Sequence, residues 1–334
     1  MSLSNPYWHK SFFAFLKLFL SRMGDLASGK LAFSELAVDE VQLFLLGAIG
    51  VSCALIGTFL VLKKQTMLAN ALSHTVLLGI VIAYVLLGLV SSYTFASFPV
   101  LLLAALISAL LTVFFTQVFT HVMRLQEDAS IGLVFSFLFA IGIIFASVLT
   151  KNVHIGIEVV MGNVDIVQLA DLRLALSLVG FNLLIIALFH RQYTLTVFDK
   201  SLARSYGVPV KFFEYLMMFQ TAITVIGSFR AVGVLLVLAF LVSPVVIARL
   251  FTNKVATLLG LSCLIGLGIS VIGVAISRHI LSVYQLPLST SGVVVSLFVV
   301  VFIISACIHL NKKYFYQLVK KQKTAKPQAE LSNS

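Results

Sequence analysis

Nine apolar runs, separated by short polar segments, constrain the fold of this chain more than any other feature. A helix that crosses a bilayer needs about 20 mostly apolar residues, and nine stretches approach or meet that length. Only 10% of the 334 residues are charged and 60% are hydrophobic, whereas a soluble protein carries roughly 25% charged residues. The pattern therefore predicts an all-α, polytopic transmembrane helical bundle. The predicted spans lie near 41–62, 72–90, 98–119, 131–149, 170–189, 215–230, 231–250, 255–276 and 291–310.

The segment 215–250 leaves the count open at eight or nine spans. Its two apolar stretches are short, and Gly227, Arg230 and Gly233 mark their junction. The segment is either two tight crossings or one span with a broken, partly re-entrant half. Interrupted helices at membrane depth are tolerated where they face protein or a water-filled cavity, so we expect this junction, with Ser243 and Pro244, near a permeation path. The alternative is a snorkelling Arg230 and a tolerated Pro244 kink.

Lysine and arginine are concentrated in alternate loops and in the C-terminal tail. This bias predicts an outside N-terminus and an inside C-terminus. It divides the chain into an N-terminal interfacial or extramembrane segment (1–40), a transmembrane domain (41–310) and a cytoplasmic basic tail (311–334). The net charge of +11 is then explained by topology, and nucleic-acid binding is not expected.

The start of the second span carries a polar face. Asn70, Ser73 and His74 open a run that is otherwise apolar. Asn70 and His74 are four residues apart, so they lie one above the other on a helix. Polar residues inside a membrane usually face the bundle interior, and a neutral imidazole beside an amide can coordinate a passing divalent cation. The alternative is a helix-entry histidine near the headgroups, with Ser73 or Asn70 as the N-cap.

A short amphipathic helix is predicted on the cytoplasmic side. Asp199 begins its pattern, Leu202 and Ala203 belong to its apolar face, and Gly207 with Pro209 ends it. Such a helix is suited to docking into a groove on another protein. The alternative is an interfacial helix that lies on the lipid headgroups.

The loop near 150–170 is polar and is predicted to lie outside. His154, Glu158 and Asp165 in this loop attract cations or a partner protein, or are simply solvated. The sequence has no GxxxxGK[ST] phosphate loop and no HExxH motif. It therefore predicts neither ATP hydrolysis by this chain nor an enzyme.

Three motifs resemble those of the membrane permeases of ATP-binding-cassette importers for manganese, zinc and iron. They come in the family's order and lie within residues 41–310. Asn70 stands where the family usually has Asp, and Leu78 stands where it usually has Pro; the first change removes one hard anionic ligand. The matching segments run from Leu62 to Gly79, from Phe198 to Pro209, and from Arg230 to Leu236 with Leu241-Val242-Ser243-Pro244.

The resemblance implies a type II importer permease in a bacterial cytoplasmic (inner) membrane. It implies no permanently bound cofactor, a transported Mn²⁺, Zn²⁺ or Fe²⁺ ion, and ATP used by cytoplasmic ATP-binding subunits. It also implies an extracytoplasmic metal-binding protein and a second permease, identical or related. An ion-gradient-driven carrier without an ATPase is the alternative. Such a carrier needs intramembrane carboxylates, and Asp171 and Glu214 only flank predicted spans.

Overall fold

The computed structural model describes residues 6–7, 10–30, 36–90, 98–149, 164–165 and 167–331. Eleven helices account for most of this part of the chain. They are α1 (Phe12–Ala27), α2 (Val38–Leu62), α3 (Thr66–Val90), α4 (Phe98–His121), α5 (Glu127–Leu149), α6 (Leu169–Phe198), α7 (Lys200–Ser205), α8 (Val210–Val232), α9 (Val234–Arg249), α10 (Val255–Tyr284) and α11 (Thr290–Leu331).

The predicted helical fold is confirmed, because a helix corresponds to each of the nine apolar runs: α2 to α6 and α8 to α11. Within the described residues, six helices are long and apolar enough to cross a bilayer: α2, α5, α6, α8, α10 and α11. Two apolar stretches are shorter, Leu106–His121 of α4 and the whole of α9. Helix α3 is 25 residues long.

Contacts between helices define two ends of the bundle. We call the end that carries Lys63, Glu127, Lys200 and Glu214 the inner end, and the end that carries Asp39, Asp165 and Arg278 the outer end. Positive charge in the loops predicts that the inner end is cytoplasmic.

Helices α8 and α9 run in opposite directions, which favours two crossings over a re-entrant half. Glu214, one turn from the start of α8, contacts Lys63 at the inner end. At the other end of α8, the Val232 carbonyl accepts a hydrogen bond from Ser291 at 3.5 Å. The chain then reverses at Gly233, whose φ of 81° is accessible to glycine without strain. Helix α9 returns to the level of Val61 through contacts within the apolar cluster formed by Val61, Val245, Ala248 and Leu258.

The predicted junction between the two short spans therefore lies at Gly233. Gly227 lies inside the continuous helix α8, where a Cβ would lie 2.9 Å from the Leu178 side chain. Pro244 lies inside α9, which continues through it to Arg249. Neither Gly227 nor Pro244 interrupts its helix, so at Pro244 the structure shows the alternative, a proline tolerated within a helix.

Helix α2 is the centre of the bundle. Twenty-one of its 25 residues are buried, and it packs against α6, α8, α9 and α10. Helices α3, α4 and α5 pack together beside this group and join it chiefly through α8. Small residues let the helices approach closely: a Cβ on Gly79 of α3 would lie 2.4 Å from the Ala104 carbonyl oxygen of α4.

The region 190–214 is more helical than the sequence indicates. The sequence predicts a long inside loop there, but α6 continues to Phe198 through a kink at Phe189 (φ −117°, ψ 18°). Helices α7 and α8 occupy most of the remainder. Likewise, α11 continues to Leu331, so the predicted basic tail is helical through that residue.

Helix α1 lies against the outer end of the bundle and packs on α10. The buried Glu40 carboxylate of α2 accepts hydrogen bonds from the Tyr7 hydroxyl at 2.6 Å and from Arg22 Nε at 2.5 Å. Burial, and then the bond to Glu40, raise the pKa of the Tyr7 phenol above its ordinary value. The phenol therefore stays protonated and remains a donor. Buried Phe15 contacts Tyr7, whereas Phe13 is exposed on the opposite side of α1.

Candidate functional site

The polar face predicted at the start of α3 is present in the structure. Asn70 and His74 are both half-buried, one and two turns from the start of the helix. Their depth places them in the half of the bundle that includes the inner end. The imidazole of His74 lies 5.4 Å, between ring centroids, from Phe135 and from Phe139 of α5.

Ser73 differs from Asn70 and His74, because its side chain is fully buried and bonded to the helix backbone. Its side chain is buried, and its hydroxyl donates to the Asn70 backbone carbonyl at 2.5 Å. The Ser73 hydroxyl therefore satisfies the helix backbone. Among the described residues, no group of three or more His, Cys, Asp and Glu side chains could hold a metal ion. Asn70 and His74 therefore place one amide and one imidazole on this face of α3.

The short helix α7 has the ends that the sequence indicates. The Asp199 carboxylate accepts hydrogen bonds from the backbone N–H groups of Ser201 (2.8 Å) and Leu202 (2.9 Å), which is an N-cap. Gly207, with φ of 74°, follows the helix end, and Pro209 precedes α8.

Helix α7 presents an apolar surface at the inner end. Ala203 is fully buried, so it packs against the bundle and is not available to a partner. Three large apolar side chains in and next to α7 are exposed: Phe198 at the end of α6 (62%), Leu202 in α7 (45%) and Tyr206 directly after α7 (66%). We call them the α7 surface.

An ion-pair cluster lies beside α7 at the inner end. Glu214 Oε1 is 3.3 Å from Lys63 Nζ and 2.9 Å from Lys200 Nζ. Lys200 Nζ is also 3.4 Å from Glu127 Oε1, and Gln65 Nε2 donates to Glu127 Oε2 at 2.5 Å. Two lysines and two glutamates therefore neutralise one another. We call these four residues, with Gln65, the inner cluster.

The two lysines of the inner cluster are in different environments. Burial lowers the pKa of Lys63, with Glu214 and then Glu127 opposing that effect. Burial acts in the same direction on Lys200, but the hydrogen bond to Glu214 and the charges of Glu214 and Glu127 outweigh it, so the pKa of Lys200 is raised. The Lys200 side chain is 45% exposed. Lys200 is thus the accessible and firmly charged member of the cluster.

A buried polar network joins α2, α6 and α8 near mid-depth. Asn182 Nδ2 donates to Ser52 Oγ (2.6 Å) and Thr224 Oγ1 (2.7 Å), and Asn182 Oδ1 accepts from Gln220 Nε2 (3.1 Å). The Tyr193 hydroxyl donates to Gln220 Oε1 at 2.5 Å. Because these polar groups satisfy one another, the network fixes how the three helices pack.

Asp165 is exposed at the outer end, but its carboxylate is tied to the bundle. Asp165 Oδ1 accepts from Gln42 Nε2 at 3.0 Å and from Thr290 Oγ1 at 2.6 Å. Arg278 Nη2 donates to Gln42 Oε1 at 3.2 Å and forms an ion pair with Asp39 at 2.5 Å. The other two residues predicted for this loop, His154 and Glu158, lie outside the described residues.

Sequence reasoning missed the inner cluster and the Asn182 network. The Asn182 network could have been predicted from isolated polar residues within apolar runs, such as Asn182 and Gln220. The inner cluster pairs residues that are up to 151 positions apart in the sequence, Lys63 with Glu214. No local pattern specifies that pairing.

Comparison with known proteins places the chain among membrane transport proteins. Residues 41–309 match the family described as the ABC 3 transport family. The "Probable metal transport system membrane protein" of Chlamydia muridarum is 40% identical over 299 residues, 90% of this chain and 93% of that protein. The manganese transport system membrane protein MntD of Bacillus subtilis is 40% identical over 233 residues, 65% of this chain and 76% of MntD.

Among solved structures, the fold is similar to PsaBC from Streptococcus pneumoniae in complex with Fab. The TM-score is 0.66 at 24% sequence identity, with 85% of this chain and 95% of that chain covered. At that identity the likeness supports the fold.

Proposed function

This chain belongs to the ABC 3 transport family, and from that premise we propose that it is the permease subunit of an ATP-binding-cassette importer for a divalent transition-metal ion in a bacterial cytoplasmic membrane. The observation that carries the proposal is the family match from residue 41 to 309, which extends into every helix that corresponds to a predicted span. The manganese transport named for MntD favours Mn²⁺ as the cargo. Fe²⁺ and Zn²⁺ are the other ions that suit an imidazole ligand.

Asn70 and His74 are the proposed transit ligands for the ion. Their position on one face of α3, both half-buried, supports this role. A site on a permeation path must release its ion, and one imidazole with one amide binds weakly enough to do so. A second permease subunit contributes further ligands where the two chains meet.

The α7 surface is the proposed docking site for a cytoplasmic ATP-binding subunit. Phe198, Leu202 and Tyr206 are exposed together at the predicted cytoplasmic end, and exposed aromatic and aliphatic side chains are typical anchors of protein interfaces. Asp199 and Gly207 hold the ends of the helix that carries them. ATP binding and hydrolysis by the partner then bias the permease between outward-open and inward-open states.

The outer end is the proposed docking region for an extracytoplasmic metal-binding protein. Asp165 contributes surface there, while its carboxylate is bonded to Gln42 and Thr290. We therefore assign Asp165 a structural role at the outer end, and the docking role of His154 and Glu158 stays a prediction from the sequence.

The test is co-purification of the tagged permease with the ATP-binding subunit of the same transport system. We expect the wild-type chain to retain the ATP-binding subunit and to support ATP hydrolysis. Leu202→Asp should abolish retention, because it places a charge in the α7 surface. Leu125→Asp is the matched control, since Leu125 is also an exposed apolar residue at the inner end but lies between α4 and α5. Retention by Leu202→Asp equal to that of the control would refute the docking assignment.

A further inference from the structure

The inner cluster connects four separate elements of the bundle. Lys63 and Gln65 belong to the turn between α2 and α3, and Glu127 is the first residue of α5. Lys200 is the first residue of α7, and Glu214 lies one turn from the start of α8. Lys200 is the member on the proposed docking helix, and it contacts carboxylates of both α5 and α8.

The turn between α2 and α3 is tight enough to transmit a displacement. Lys64 adopts φ of 62°, which is uncommon for a residue other than glycine. The backbone N–H of Gln65 donates to the Leu60 carbonyl at 2.9 Å, and the N–H of Leu68 donates to the Gln65 carbonyl at 3.1 Å. A force on the side chain of Gln65 therefore acts on the first turn of α3.

Among the elements that the cluster reaches are α3, which carries His74, and α5, which carries the aromatic neighbours of His74. At a rise of about 1.5 Å per residue, His74 lies roughly 14 Å along the chain axis from Gln65. Phe135 and Phe139, whose rings contact His74, lie roughly 12 and 18 Å along α5 from Glu127. Both distances are spanned by uninterrupted helix.

We propose that Lys200 is a positioning residue that couples movement of the ATPase-docking helix α7 to the inner ends of α3 and α5, through its ion pairs with Glu127 and Glu214. The inference rests on the proposed function, because it presupposes an ATP-binding subunit on α7. When α7 moves, Lys200 carries Glu127 and the attached Gln65 with it. The His74 imidazole and its aromatic neighbours then shift relative to one another, which changes access to the transit ligands.

Two charged residues of the inner cluster are buried and two are partly exposed, so the cluster has a fixed pair and a movable pair. The side chains of Lys63 and Glu214 are only 5% and 6% exposed, and a buried ion pair is costly to separate. Lys200 and Glu127 are 45% and 38% exposed, and an exposed ion pair contributes little to stability. Lys200 and Glu127 can therefore move together while the buried pair of Lys63 and Glu214 stays closed.

The experiment measures Mn²⁺ transported per ATP hydrolysed by the whole importer in proteoliposomes. We expect Lys200→Met to assemble with the ATP-binding subunit and to lower this ratio about fivefold or more, which is the lower end of typical allosteric coupling. Lys200→Arg keeps the charge and should restore the ratio. Lys211→Met is the matched control, because Lys211 is an exposed lysine in the first turn of α8. We expect the control to leave the ratio unchanged.

A double-mutant cycle with Glu127→Gln separates coupling from a general disturbance. If the Lys200–Glu127 contact carries the coupling, the two substitutions together should lower the ratio no further than the stronger single substitution. An unchanged ratio in Lys200→Met, or independent effects that multiply in the double variant, would overturn the proposal. Failure of the wild-type chain to bind the ATP-binding subunit would instead refute the proposed function.

Discussion

Gly57 allows the central helix α2 and helix α9 to touch backbone to backbone. A Cβ at position 57 would lie 2.0 Å from the Leu241 carbonyl oxygen and 2.9 Å from its carbonyl carbon. Ordinary contact begins near 3.4 Å, so Gly57→Ala requires a separation of about 1.4 Å at this point. A flexible side chain could turn away, but the obstacle here is backbone.

The cost of that separation follows from what holds the two helices. The Phe240 ring of α9 packs closely on Gly50, two turns earlier in α2, where a Cβ would lie 2.9 Å from the ring. Helix α9 is therefore held against α2 at a second point and cannot tilt away from Gly57. Overpacking in a well-packed core costs typically 1–3 kcal/mol and occasionally more. We therefore expect Gly57→Ala to lower the stability of the permease by about 3 kcal/mol. At an unfolding entropy of about 2.1 cal/mol/K per residue, this corresponds to a fall in Tm of about 4 °C for a chain of 334 residues.

The assay is thermal unfolding of the purified permease in detergent, followed by its monodispersity after heating. Gly260→Ala in α10 is the matched control, since nothing lies within 4 Å of a Cβ at that position. We expect the Tm of the control to stay within about 1 °C of the parent protein. A Gly57→Ala protein with the Tm of the control would refute the close contact between α2 and α9.

Three further predictions concern the sites described above. Asn182→Ala removes three buried hydrogen bonds and should lower stability by about 1–3 kcal/mol, measured by the same unfolding assay; an unchanged Tm would contradict the network. Asp199→Ala removes the α7 N-cap and should weaken retention of the ATP-binding subunit in a pull-down, since caps contribute about 1 kcal/mol; full retention would contradict a role for the capped helix. His74→Ala should abolish Mn²⁺ uptake while the exposed His309→Ala variant transports normally. Equal uptake by both would remove His74 from the path.

The sequence predicts the helices well because the bilayer imposes their length and polarity. The cap at Asp199 was also predictable, since an N-cap is a local interaction. The orientation of α7 was not: its six residues give too short a pattern to show that Ala203 faces the bundle while Leu202 faces outward.

Helix ends and long-range pairs were the least predictable features. Helix α6 extends nine residues beyond the predicted end of its span, because residues past the membrane continue to hydrogen-bond as helix through the kink at Phe189. The pairing of Lys63 with Glu214 depends on how α2 and α8 meet at the inner end. Hydropathy predicts which segments cross the membrane, but it does not predict which helix ends come into contact.

Reconstitution into sealed vesicles tests the central claim most directly. The permease is incorporated with and without the ATP-binding subunit of its transport system, and Mn²⁺ accumulation is followed with ATP supplied on the side of the α7 surface. The account predicts uphill accumulation that requires both subunits and ATP hydrolysis. Uphill accumulation by the permease alone, driven by an ion gradient, would contradict it.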